Sequence, residues 1–191
     1  MSEQGKGVRL EGTVRASRFD PSAHGKQFLG AALECSDGKV WVLDYNEQSP
    51  FHAFAGCRVV VSGEPYTPEG QQLIGWRAGK KLGHFRVLTM RLLEAARDAE
   101  FVEIGAAQHL RGRFEPVPTA TADSTLSFVT EDGTAFLVAN DPAGATVGTS
   151  VAVCAYSLQR SPSTPKPPER YLWIIGPCSA ADVWEWRRRH S

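Results

Sequence analysis

Two runs of aromatic and basic residues carry the spacing best suited to ligand chemistry in this 191-residue sequence. Lys26, Phe28, Lys39, Trp41 and Tyr45 form the first run; Trp76, Arg77, Lys80, Lys81, His84 and Arg86 form the second. Rings interleaved with cations are what single-stranded nucleic acid requires, since stacking contributes about 1–3 kcal/mol per base and the cations neutralise the backbone. Plain packing is the competing explanation. In a strand, Trp41 shares a face with Lys39, Leu43 and Tyr45, while Val40 and Val42 take the other face, and one of the two must be core. With the valines inside, Trp41 is exposed and able to stack. The stretch from Arg77 to Arg86 reads either as a solvated loop or as a functional patch.

Motifs for catalysis are missing from the sequence. Gly75-Trp76-Arg77-Ala78-Gly79-Lys80-Lys81 is the nearest approach to a phosphate-binding loop, but it has Lys where the magnesium-binding hydroxyl belongs. His24, His52, His84, His109 and His190 stand singly, without the i+3 or i+4 partner of a zinc helix. No Gly-x-Ser-x-Gly elbow occurs. Asp37, Asp44, Glu47, Asp132 and Asp141 are accounted for by turn chemistry. We therefore expect no catalytic residue, no metal and no cofactor. Cys35, Cys57, Cys154 and Cys178 are dispersed and read as buried free thiols in strands.

Composition narrows the partner class. Apolar residues make up 42% and charged residues 22%, the proportions of a globular protein. The 21 basic and 21 acidic groups cancel, which argues against coating nucleic acid through bulk charge. No apolar run reaches the roughly 18–20 residues of a membrane helix, and the first residues lack the apolar stretch of a secretory signal. These features make the cytoplasm the default expectation and a membrane partner unexpected.

The elements that must position these residues come in two copies. Leu10-Glu11-Gly12, Asp37-Gly38 and Gly56-Cys57-Arg58-Val59-Val60-Val61 recur in order as Leu110-Arg111-Gly112, Asp132-Gly133 and Gly148-Thr149-Ser150-Val151-Ala152-Val153. A domain of residues 1–98 followed by one of 99–191 is the division this predicts. Val8 to Ala16 alternates apolar and polar residues as a half-buried strand does. Asp37-Gly38 and Asp132-Gly133 each sit between strand-like runs and favour tight hairpins. Ser49-Pro50 to Gly56 reads as one or two helical turns, with a capping Ser and a first-turn Pro. Leu92 to Asp98 suggests a short linker helix, and Ala180 to Arg189 a C-terminal one.

A Leu-x-Gly first strand, a Gly-turned hairpin, a short helical bridge, then Gly-x-x-Val-x-Val and a last strand together resemble the OB-fold. The likeness spans about residues 7–93 and 107–178 and lies at the level of topology. It implies an all-β protein: two tandem five-stranded Greek-key barrels with short helices between them and at the C-terminus. It also implies a groove in the first barrel, bordered by the two aromatic and basic runs.

The second copy differs in sign. Residues 1–98 carry 13 basic and 11 acidic groups and residues 99–191 carry 8 and 10, so the halves stand at +2 and −2. The stiff stretch Gln159 to Glu169, with Pro162, Pro165, Pro167 and Pro168 and then Arg170, suits contact with another protein. The sequence thus suggests a non-enzymatic binding protein, an adaptor, regulatory subunit or neutralising partner acting on another protein. Its alternative is a single-stranded nucleic-acid binder using the first barrel's groove. The oligomeric state is left open.

Overall fold

Alternation in the sequence is realised as strands almost throughout. The computed structural model describes residues 7–19, 28–46, 48–67, 82–95, 99–117, 126–142, 144–161 and 170–177. The first five strands are β1 (Val8–Phe19), β2 (Phe28–Cys35), β3 (Val40–Asp44), β4 (Arg58–Tyr66) and β5 (Leu82–Glu94). They are followed by β6 (Phe101–Pro116), β7 (Leu126–Thr130), β8 (Ala135–Val138), β9 (Ser150–Arg160) and β10 (Arg170–Pro177). One 3-10 turn, Pro50–Phe54, is the sole helical element among the described residues; the Ser49 hydroxyl accepts from the Phe51 N–H to cap it. None of this is a helix long and apolar enough to cross a membrane.

The protein is all-β, and hydrogen bonds link its ten strands into one sheet, in the order β3-β2-β1-β4-β5-β6-β7-β8-β10-β9. A single ten-stranded sheet is not clearly the two tandem barrels expected from the sequence. The expected linker helix is also corrected: Leu92, Leu93 and Glu94 belong to β5. The expected C-terminal helix at 180–189 lies outside the described residues. The chain divides into a first unit, Met1–Ile104, and a second, Gly105–Ser191, so that β6 runs through the boundary.

Within the first unit β1 pairs with β2 and β4, β2 with β3 and β4 with β5, all antiparallel, while β3 and β5 pair in parallel. Within the second, β6 pairs with β7 and β9, β7 with β8, and β10 with β9 and, in parallel, with β8. Each set of five pairings returns to its starting strand.

The repeated landmarks do the same work in both units. Gly12 and Gly112 lie where the neighbouring strand comes close: a Cβ would meet the Glu34 carbonyl oxygen at 2.4 Å in the first case and that of Val129 at 2.1 Å in the second. In each hairpin the aspartate side chain accepts a backbone N–H two residues on, Lys39 from Asp37 and Thr134 from Asp132, both at 3.0 Å. Gly56 and Gly148 have φ of 82° and 80°, a region that favours glycine. The N–H of Gly56 donates to the Val14 carbonyl at 2.8 Å, and that of Gly148 to the Phe114 carbonyl at 2.9 Å.

The first unit's core holds Val14, Leu33, Phe51, Phe54, Phe85 and Met90, all fully buried. The second unit's core gathers around Phe114, Phe128, Val153, Leu172 and Ile174.

Strand β5 carries two irregularities. Thr89 pairs with Ser62 and Val87 with Gly63, which leaves Leu88 as an extra residue. Glu94 pairs with Arg58 and Leu92 with Val59, which leaves Leu93 extra in the same way. Bulges re-aim side chains. Both leucines are pushed to the surface, with 40% and 42% exposure.

Candidate functional site

The register of the first unit brings the end of β3, the end of β4 and the start of β5 together. Val42 and Tyr66 both pair with His84, and Glu64 pairs with Arg86. Tyr45, one residue beyond β3, completes a cluster: its hydroxyl is hydrogen-bonded to His84 Nε2. The Tyr66 ring lies 5.6 Å from the imidazole between centroids, and the Arg86 guanidinium sits 5.6 Å over the Tyr66 ring. Arg86 also faces Glu64 at 3.9 Å.

His84 is buried, and among the described residues its Nδ1 has no hydrogen-bond partner. Burial lowers its pKa, because a charged imidazolium would lose hydration without gaining a counterion. Burial, with a smaller contribution from Tyr66, pushes the Tyr45 phenol up to about 12. Tyr66 is also raised by burial and by the Asp44 carboxylate, with Arg86 opposing. Neutral rings and one compensated cation therefore dominate the cluster. Among the described residues no group of three His, Cys, Asp or Glu could hold a metal ion.

The candidate residues fare unequally. Val40 and Val42 are buried on β3, and so is Leu43. Trp41 is nevertheless not open: it is half-buried, edge-on to Phe85 at 5.7 Å, and its ring covers Gly83, whose Cβ would approach the Trp41 ring at 2.4 Å. Lys39 is exposed and pairs with Asp37 at 2.9 Å. That contact holds the Asp37 carboxyl below its ordinary value and raises Lys39. Of the first run, then, Tyr45 joins the cluster, and of the second run His84 and Arg86 do. Phe28 opens β2, its side chain lying outside the described set. Lys26, Trp76, Arg77, Lys80 and Lys81 fall outside the described residues, as do Pro162, Pro165, Pro167 and Pro168. Arg170 opens β10, exposed and paired in register with Gln159.

Tyr66 and Glu64 were not singled out by sequence. The signal for them is their place on β4, in register with His84 and Arg86 on the next strand. The reading of all cysteines as free thiols needs correction as well: Cys35 and Cys57 are free, whereas Cys154 is disulfide-bonded.

Comparison with protein families, with curated proteins and with solved structures gave no match.

Proposed function

We propose that this chain is a non-catalytic protein-interaction module made of two OB-like barrels. The strand order supports the barrel reading, since each unit's five pairings close on themselves and include a parallel pair, as in that Greek-key fold. The observation that carries the functional reading is charge compensation in the candidate groove. Both of its described cations, Lys39 and Arg86, face carboxylates, Asp37 at 2.9 Å and Glu64 at 3.9 Å. A phosphate backbone gains affinity by displacing counterions from itself onto unpaired cations. Cations already held by carboxylates offer less of that. A protein partner, in contrast, gains from burying apolar side chains such as the two leucines that β5 presents through its bulges.

The test pairs two measurements on the full chain. A fluorescent 20-nucleotide oligo-dT is expected to show no binding at micromolar protein in low salt. Binding there that weakens steeply with salt would overturn the proposal in favour of a nucleic-acid binder. Affinity capture from native lysate is expected to retain one protein stoichiometrically, and the Leu88→Asp/Leu93→Asp variant to lose it at least tenfold while keeping its melting temperature. Retention unchanged by that variant removes the β5 surface from the reading.

A further inference from the structure

The two units solve the problem of closing their ends differently. In the first, the segment between β3 and β4 folds as the 3-10 turn Pro50–Phe54 and drives Phe51 and Phe54 into the core, at 1% and 0% exposure. The corresponding segment of the second unit ends at the matching glycine, Gly148, whose N–H makes the same bond to Phe114 as Gly56 makes to Val14. From Gly38 to Gly56 is 18 positions and from Gly133 to Gly148 is 15, so the second copy is three residues shorter. Its sequence, Asp141-Pro142-Ala143-Gly144-Ala145, contains no aromatic residue.

A cleft of about 130 Å³ lies beside this shorter segment, which contributes Pro142, Gly144 and Ala145 to its lining. Phe114, Val151 and Ile174 give it an apolar floor, and the exposed Thr146, Thr149 and Ser150 give it a hydroxyl-bearing rim. Asn140 fixes the floor: its side-chain amide donates to the Ile174 carbonyl at 2.8 Å and accepts the Ile174 N–H at 2.9 Å. Among the described residues no charged side chain lines the cleft. A cavity of about 150 Å³ with apolar walls takes a benzene ring.

The geometry points to a binding site for a neutral aromatic side chain, a phenylalanine on a short segment of a protein partner, docking beside the second unit's counterpart of the segment that supplies Phe51 and Phe54 in the first. A lining without charged side chains among the described residues disfavours an ionic occupant, because an unpaired charge would be desolvated there without compensation. Hydroxyls at the rim suit the peptide groups on either side of the ring. The inference rests on the protein-binding reading and supplies its specificity.

The probe is a blocked synthetic peptide with the sequence of Ser49–Phe54, titrated into the uniformly ¹⁵N-labelled full chain. Saturable shifts of the Thr146, Thr149, Ser150 and Val151 amides are expected, absent with a peptide in which both phenylalanines are alanine. Ala145→Phe, which fills the cleft from within, is expected to weaken binding at least tenfold. Thr149→Trp does the same from the exposed rim should the first variant fail to fold. No shift, or equal shifts with the alanine peptide, overturns the site. Shifts with benzene but none with the peptide overturn the docking of a partner segment. If Trp184→Ala/Trp186→Ala alone moves these amides, the chain's own C-terminal residues are the occupant and the inference falls. The titration uses no cellular partner, so it can fail while lysate capture succeeds, and the reverse; the two proposals stand or fall separately.

Discussion

Tyr45 and His84, 39 residues apart in sequence, share a hydrogen bond between the phenol and Nε2. That bond satisfies one ring nitrogen of a buried histidine whose other nitrogen has no partner among the described residues. Tyr45→Phe would leave both nitrogens unsatisfied. The expected loss is about 1–3 kcal/mol, the cost of a buried polar group without a partner. Thermal denaturation of the variant checks this, and a change within error would mean that water takes the place of the hydroxyl.

The same pair sets two pH limits. The folded pKa of His84 lies below 6.5, so its contribution to stability is complete above about pH 6.5 and is lost as pH falls through the folded value. Tyr45 is raised from 10.0 to about 12, so its contribution is complete below about pH 10 and is lost as pH rises toward 12. Melting temperature against pH should fall at both ends, and His84→Gln should flatten the acid side. Ultraviolet titration should find one phenol ionising near pH 12.

Gly112→Ala should destabilise by about 2–3 kcal/mol, since its Cβ would stand 2.1 Å from the Val129 carbonyl oxygen and 2.8 Å from its carbon. Backbone on the adjacent strand cannot yield as a flexible side chain can. Gly38→Ala meets no atom within 4 Å, and its cost should come only from a φ of 78°. Urea denaturation of the two variants separates steric from conformational cost.

Asn140→Ala removes two hydrogen bonds to Ile174, at 2.8 and 2.9 Å. A loss of about 1–3 kcal/mol is expected, because an Ile174 N–H and carbonyl are left in a part-buried place. Amide exchange of Ile174 should accelerate in the variant while that of Leu172 stays slow. Equal acceleration of both would mean that the whole strand β10 opens.

Much of the architecture was legible because it was written in short, local signals. Leu-x-Gly, Asp-Gly and Gly-x-x-Val-x-Val each impose a backbone requirement that holds wherever the residues occur. The end of β5 was not legible, for an equally physical reason. The extra residue Leu93 puts Leu92 and Leu93 side by side, and that breaks the period of two and imitates a helix start. The candidate site was legible only in part. Sequence supplied Tyr45, His84 and Arg86 as members of two runs, but only register could add Tyr66 and Glu64. The fate of Trp41 turned on Gly83, a residue with no side chain to draw notice.

The bulge at Leu88 also changes which positions of β5 can be altered. Before it the buried apolar residues are odd-numbered, Phe85 and Val87; after it Met90 is buried and Leu92 half-buried, both even-numbered. The parity of the strand is reset by a single residue. Excising Leu88 would leave Thr89 opposite Ser62 and Val87 opposite Gly63 in an uninterrupted ladder, without turning Phe85 or Val87 out of the core. Excising Met90, two positions later, would swap inside for outside. One strand thus contains a position where the reading frame of its pleat tolerates a deletion beside one where it does not.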